Sequence, residues 1–222
     1  MFFFIIIPVI LMVIVFAMIA SAAAKRRQRE LRELASQMGF TFLPNRNYSY
    51  DERYPFLAKL CQGRNRYAYN TLQGDLQGHP VCYFDYHYET KSRDSKGRTK
   101  TNHHYFSFFI LHFENDFPEL IITKEGWISK LAQWFGYADI DFESAEFSRK
   151  FIVRSPDKKF AYDICHSRMI EYLLRNTDLS IEIERNCLTL FFGAVLTPDR
   201  IQFNLRRLVE LRDQFPRYLM EG

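Results

Sequence analysis

The chain has 222 residues, of which 47% are hydrophobic and 25% charged, and this is the composition of an ordinary globular protein. It contains only 9 Gly and 8 Pro, which argues against a long disordered tail, and its net charge of +4 by itself indicates neither nucleic acid nor lipid as a partner. The aromatic content of 17% favours β-strands over helices.

The N-terminal segment has the pattern of a membrane anchor. Residues 1–24 contain no charged side chain, and a helix of about 20 apolar residues crosses the roughly 30 Å hydrocarbon core of a bilayer. Five basic residues follow between Lys25 and Arg32, whereas the N-terminal side has no Lys or Arg. Because basic flanks stay in the cytoplasm, the pattern predicts a single-pass protein of the inner (plasma) membrane, with its N-terminus outside and its domain in the cytoplasm.

A cleaved signal peptide is the alternative for this segment, because Ala20-Ser21-Ala22 resembles a cleavage site. A signal peptide would begin with a positively charged region, and its apolar core would be roughly 7–15 residues long. This segment has no basic start, and its apolar run is longer. A retained transmembrane anchor is therefore the preferred interpretation.

A basic juxtamembrane helix is predicted next, over residues 25–39. Apolar residues recur with helical spacing from Leu31 to Met38, and Gly39 is a residue type that commonly ends a helix. The basic residues of this helix are expected to determine the membrane topology, and attraction to anionic lipid is a second interpretation. The remainder, residues 40–222, is predicted to form one soluble domain.

The first half of this domain is predicted to be rich in β-strands. After a short strand at residues 40–42 and a short helix over about 49–60, three strands are expected at 66–72, 79–88 and 102–113. Residues 74–78 would join the first two as a hairpin, and the third strand is apolar on both faces, as expected of a central strand. Residues 89–101 contain no hydrophobic side chain and predict a mobile hairpin loop.

The second half is predicted to mix helices and strands. A strand at 120–123 and a helix over 127–135 would be followed by two strands, 147–154 and 159–164, that turn at Pro156. The last predicted elements are a helix around 169–174, a hairpin of strands 179–184 and 187–192, and a helix that begins at Thr197-Pro198. The fold class is therefore α+β, a largely antiparallel β-sheet with packed helices, preceded by one transmembrane helix.

Asp85, His87 and His103 are the candidates for a catalytic site. Asp85 and His87 share one face of a predicted strand, and a hairpin could bring His103 opposite them. Histidine and carboxylate side chains are ligands that zinc accepts, so a metal-assisted reaction is one interpretation. Histidines at strand ends more often bond to backbone groups, and the sequence therefore predicts no metal site and no cofactor.

The predicted loop carries the candidate surface for a partner or for lipid, which consists of Lys91, Arg93, Lys96, Arg98 and Lys100. It has no aromatic residue that could stack on bases, so nucleic acid is not the expected partner. The acidic run at residues 139–146 lacks the spacing of a calcium-binding loop and is expected to be a solvated edge that packs through its aromatic residues.

Catalytic sequence motifs are absent: the chain has no nucleophile elbow, phosphate-binding loop, dinucleotide fingerprint or zinc-protease helix. The four cysteines, at positions 61, 82, 165 and 187, form no C-x-x-C pair. The predicted cytoplasmic location favours four reduced thiols. A protein without chemistry of its own is accordingly expected in preference to an enzyme.

The segment DIDFESAEFSRKF at residues 139–151, followed by DKKFAY at 157–162, resembles a family of uncharacterised bacterial proteins that are often membrane-anchored. The strand Phe84-Asp85-Tyr86 and the FTFLP sequence from Phe40 also fit, so the likeness covers most of residues 38–175. The resemblance implies a bacterial domain of unknown function that faces the cytosol beside an anchor. It supplies no catalytic residue.

Together these patterns predict a membrane-tethered cytosolic module that binds or scaffolds other proteins. A metal-assisted hydrolase that uses Asp85, His87 and His103 is one alternative. A sensor of anionic lipid, which would combine the basic loop with the bases of residues 25–32, is another.

Overall fold

The computed structural model describes residues 3–57, 59–95, 97–124 and 138–220, and the side chains of the first helix at residues 11, 12 and from 14 onward. In these ranges the elements follow in the order α1 (Phe3–Met38), β1 (Thr41–Leu43), α2 (Tyr50–Arg53), β2 (Arg64–Leu76), β3 (His79–Arg93), β4 (Thr99–Lys124), α3 (Ala145–Lys150), β5 (Phe151–Arg154), α4 (Lys158–Ile164), α5 (Ser167–Arg175), β6 (Ile181–Phe192), α6 (Pro198–Arg212) and α7 (Arg217–Met220).

The strands form one antiparallel sheet, and this confirms the predicted α+β class. Strands β1 to β4 are neighbours in chain order, and β6 pairs with the opposite edge of β4. The short β5 pairs with residues 121–124 of β4, beyond the point where β3 has ended. The long β4 is thus central, as its apolar residues on both faces predicted.

Helices and a loop cover the two faces of the sheet. On one face, α1 and α6 pack over side chains that include Tyr83 and Phe109. On the other face, the segment from Tyr50 to Leu60 covers Phe84 and Phe108, whose rings stack 5.4 Å apart. The alternation of side chains along β3 and β4 therefore separates two hydrophobic cores, because successive residues of a strand point to opposite faces.

The first helix continues without a break across the predicted boundary at residue 24, from Phe3 to Met38. It ends at Met38, just before Gly39, whose φ of +69° lies in the left-handed region that favours glycine, as predicted. The side chains of residues 1–10 and 13, which belong to the predicted anchor, lie outside those described. No helix in the described part of the chain is both long and apolar enough to cross a membrane.

The prediction of a strand at 159–164 is wrong, because these residues belong to helix α4. The Asp157 side chain accepts a hydrogen bond from the Phe160 backbone N–H at 3.0 Å and so caps the helix. Phe160, Ala161 and Ile164 are buried, a spacing that suits one helix face. The four residues 147–150, also predicted as strand, complete α3, and only 151–154 are extended.

Two further predictions about strands are corrected. The expected hairpin around Arg185 is one continuous strand, β6, because the longer β4 pairs along its whole length, from Ile122 to Ser107. Arg185 has a φ of +51° within an irregular stretch of this pairing, so the turn-like residues make a local kink instead of a reversal. The helix predicted over 127–135 lies outside the described residues.

The polar stretch at 89–101 is mostly not a loop. The β3–β4 ladder continues to the pair Arg93 and Thr99, so that only residues 94–98 lie between the two strands. Side-chain hydrogen bonds support the ladder, with Thr90 Oγ1 lying 2.8 Å from His104 Nε2 across the strands. Polar strands of this kind lack the hydrophobic alternation by which strands are identified in a sequence.

Candidate functional site

Asp85 lies at the centre of a buried polar network on the α1 face of the sheet. Its side chain is fully buried, and its carboxylate accepts two hydrogen bonds from the Arg27 guanidinium through Nη2, at 2.9 and 3.0 Å. Asn70 Nδ2 donates to Oδ2 at 2.9 Å, and Tyr83 and Ser107 donate their hydroxyls to Oδ1. A buried charge needs this degree of pairing, because an unpaired one is costly to desolvate.

The network ties the first helix to the domain. Arg27 Nη1 also donates to the Leu196 carbonyl at 2.7 Å, and the Leu196 N–H donates to Ser107 Oγ at 3.1 Å. Strand β3 and the segment before α6 therefore both hold one side chain of α1, and Ser107 of β4 links these two partners of Arg27. Burial, reinforced by the charge of Asp85, raises the pKa of Tyr83 far above its usual value, so its hydroxyl remains a proton donor.

A second cluster lies further along the same face, where His87, Glu89 and His103 meet. His87 Nε2 is 3.0 Å from His103 Nδ1, and His103 Nδ1 is 3.7 Å from Glu89 Oε1. Glu89 and His103 are direct partners in the β3–β4 ladder, and His87 shares their face two residues from Glu89. The rigid ladder thus determines how these three side chains meet.

Asn65 holds two members of this cluster in place. His87 Nδ1 lies 3.2 Å from the Asn65 carbonyl oxygen, and because a carbonyl only accepts, Nδ1 carries the proton of this bond. The Asn65 side-chain amide donates to Glu89 Oε1 at 2.7 Å and lowers the pKa of Glu89. Burial lowers the pKa of His87, which favours its neutral form.

The structure brings together two of the three predicted catalytic residues. His87 and His103 touch, as the hairpin argument suggested, but Asp85 bonds instead to groups around Arg27. Asp85 pairs with Ser107, four residues along β4 from His103, or about 14 Å at roughly 3.4 Å per residue. Glu89 takes the place expected for Asp85. In the sequence, the alternation of Asp85, His87 and Glu89 indicates that all three side chains share one face of a strand. Glu89 was not included among the candidates because residues 89–101 were predicted to form a loop.

The predicted partner surface is the tip of the β3–β4 hairpin. Lys91, Arg93, Arg98 and Lys100 are exposed there, and none of them forms an ion pair within the described residues. Lys96 lies outside the residues that the structure describes. The tip is thus a concentration of positive charge, which favours an anionic partner.

Two contacts show which end of the sheet the hairpin tip occupies. Arg27, in the middle of α1, contacts Asp85 of β3. Just after the end of the helix, the Phe40 ring packs over Gly74 of β2, and Gly74 pairs with Val81 of β3. From its N-terminal to its C-terminal end, the helix therefore runs along the sheet from Asp85 towards Val81. The tip lies beyond Asp85 in the opposite direction, on the side from which α1 enters the domain.

The comparisons with known proteins show a fold and no family. No protein-family model matches the chain, and no curated protein sequence matches it. One solved structure, the mycobacterial trehalose monomycolate transport factor A (TtfA), is similar with a TM-score of 0.57 and 13% identity, over 86% of this chain and 96% of that one. At this identity the likeness shows a shared fold alone. The resemblance to an uncharacterised bacterial family stays a prediction.

Proposed function

We propose that this protein is a membrane-tethered module that binds another protein at the cytoplasmic face of the inner membrane. The observation that carries the proposal is the ion pair that joins Arg27 of α1 to the buried Asp85 of the sheet. Arg27, which the buried Asp85 holds, follows the apolar residues 1–24 by three positions, or about 4.5 Å at roughly 1.5 Å per helical residue. A domain joined to an anchor in this way has no flexible linker and rests against the bilayer surface.

The shared fold is compatible with such a role. The similar solved structure is that of a protein called a transport factor. Sequence motifs of hydrolases are missing, and the Asp85 carboxylate is enclosed by the network around Arg27. A metal-assisted hydrolase that uses Asp85 therefore has less support than a binding module.

The anchor and its direction are tested by fusing alkaline phosphatase to Gly222 of the full chain. The phosphatase should be inactive, because it folds only outside the cytoplasm, and the fusion should remain with membranes after alkaline extraction. Deleting residues 1–24 should release the same fusion into the soluble fraction. An active phosphatase in the full chain, or extraction of the full chain by alkali, would contradict the proposal.

The binding role is tested by crosslinking in native membranes. The full chain should form a defined adduct with a second protein, and the chain without residues 1–24 should lose it, since the tether holds the domain beside a membrane-bound partner. Equal adducts from both chains would show that the tether is unnecessary. No adduct from either chain would contradict the binding role.

Contact with anionic lipid is a second candidate function, and the exposed basic residues of the hairpin tip favour it. Each Lys or Arg near a bilayer contributes about 1 kcal/mol of attraction to an anionic surface. A fluorophore at Ser95→Cys in reconstituted full chain, with Cys61→Ser to remove the half-exposed thiol, reports this contact. Quenching by headgroup-labelled lipid should be stronger in phosphatidylglycerol vesicles than in phosphatidylcholine vesicles.

The matched control places the fluorophore at Gln77, in the exposed turn at the other end of β3. This probe should show little quenching in either vesicle. Neutralising Lys91, Arg93, Arg98 and Lys100 to Gln should abolish the lipid dependence at Ser95. Equal quenching at Ser95 and Gln77 would rule out lipid contact by the tip.

A further inference from the structure

We infer that His87, Glu89 and His103 form a binding site for a divalent transition-metal ion such as Zn²⁺. The site is independent of the proposed tethering, since it consists of groups on the sheet alone. Two imidazoles and one carboxylate are a ligand set that zinc takes in proteins, and three protein ligands leave one tetrahedral position open.

The three ligand groups are gathered at almost the required distances. One ligand atom of each residue lies within 4.8 Å of those of the other two. In a tetrahedral site with Zn–N of about 2.0–2.1 Å, two ligand nitrogens lie about 3.3 Å apart. His87 Nε2 and His103 Nδ1 are 3.0 Å apart, so an ion fits between them after a small outward shift of the rings.

The surroundings orient the ligands as a metal site requires. The bond from His87 Nδ1 to the Asn65 carbonyl leaves the Nε2 lone pair directed at His103, the arrangement that holds metal-binding imidazoles in other proteins. Arg64 contacts Glu89 at Oε2, at 3.6 Å, while Oε1 faces His103. In the absence of an ion, a hydrogen bond joins His87 Nε2 to His103 Nδ1, and His103 gives up its Nδ1 proton when this nitrogen binds the ion.

The open position faces solvent, because the His103 side chain is 51% exposed while His87 is buried. An ion held here would keep a water molecule or accept a ligand from a partner. His87 and Glu89 lie on β3, and His103 lies on β4 directly opposite Glu89. Binding of an ion therefore requires little reorganisation of the backbone.

The inference is tested by titrating the purified full chain with Zn²⁺ in competition with a chromogenic chelator. The expected result is one ion per chain, and a tetrahedral d–d absorption spectrum when Co²⁺ replaces Zn²⁺. His103→Ala and Glu89→Gln should each weaken binding at least tenfold. The matched control is His79→Ala, a histidine on the same strand outside the cluster, and it should bind as the wild type does.

Thermal unfolding without metal shows whether the variants fold. His103 is half-exposed and Glu89→Gln preserves shape, so both variants should melt close to the wild type. Added Zn²⁺ should raise the melting temperature of the wild type and of His79→Ala only. Wild-type binding no tighter than that of His103→Ala, or an octahedral Co²⁺ spectrum, would overturn the inference.

Discussion

Asp85 carries a charge that has no contact with solvent, and its counter-charge comes from a helix 58 positions earlier in the chain. We expect Asp85→Ala to lower the free energy of unfolding by about 3–5 kcal/mol, because the Arg27 guanidinium would remain partly buried without its acceptor. Chemical denaturation of the full chain in detergent measures this change.

The control for Asp85 is Glu146→Ala. Glu146 pairs with Lys150 at 2.7 Å, and the side chains of the two residues are 53% and 39% exposed. Removing an exposed pair should cost only about 0–1 kcal/mol, since water solvates the partner left behind. Equal losses in the two variants would show that the Asp85 network contributes no more than a surface ion pair.

Glu184 makes stability depend on pH. Burial, together with the negative charge of Glu119, raises the pKa of Glu184 from 4.5 to about 7. Between these values the folded protein holds a proton that the unfolded chain releases, so this residue's contribution to stability falls as the pH rises through the window. Glu184→Gln should therefore be more stable than the wild type at about pH 8 and similar to it at about pH 4.

Denaturation curves of both proteins at the two pH values check this expectation. The control is Glu146→Gln, because the hydrogen bond from Lys150 lowers the pKa of Glu146 and makes the charged form the favoured one. This variant should gain no stability at high pH. A gain in Glu146→Gln equal to that in Glu184→Gln would point to net charge as the cause.

Among the elements, α3 and β5 form a small core of aromatic residues within a charged segment. Phe147 is fully buried, and its ring centroid lies 5.3 Å from those of Phe142 and Phe151. Phe147→Ala should lower the free energy of unfolding by about 3–5 kcal/mol, because it removes buried apolar surface and leaves a cavity. Urea denaturation, with the unfolding slope compared between variants, gives this number.

Tyr162→Ala on the neighbouring α4 is the matched control, since its side chain is half-exposed although its ring contacts Phe142. Its cost should stay below about 1 kcal/mol, as for most surface substitutions. A Phe147 variant as stable as this control would mean that the segment packs only loosely on the sheet.

At the scale of the whole molecule, the reactivity of the cysteine thiols indicates how accessible the interior of the domain is to solvent. Cys82, Cys165 and Cys187 are buried, and Cys61 is half-buried. Burial raises the pKa of Cys82 to about 11 and that of Cys187 to about 12, so neither is a reactive thiolate at neutral pH. A thiol reagent should modify Cys61 in the native chain and all four residues only after denaturation.

Mild reductant should leave the melting temperature unchanged, because the four thiols are free. Mass spectrometry of the modified chain identifies the reactive position. Rapid labelling of Cys82 in the native state would show that the face covered by residues 50–60 opens. A melting temperature lowered by reductant would reveal a disulfide.

Much of the fold follows from local pattern. The hairpin of β2 and β3, the central β4, and the helices α5 and α6 were all predictable, because hydrophobic periodicity reflects which face of an element is buried. The prediction failed for short segments whose hydrophobic residues fit the spacing of a strand and of a helix equally well. Residues 159–164 suit a strand or a helix by composition, and the cap at Asp157 together with burial of Phe160 decides for the helix.

The sequence by itself thus determined the α+β class, most of the strands, and the apolar and basic segments at the N-terminus, since each rests on neighbouring residues. Only the tertiary structure decided that Arg27 pairs with Asp85 and that Glu89, in place of Asp85, joins His87 and His103. Contacts between distant residues depend on strand register and on how a helix crosses the sheet. A shift of one residue would turn every side chain of a strand to the other face, and no local pattern encodes that choice for polar residues.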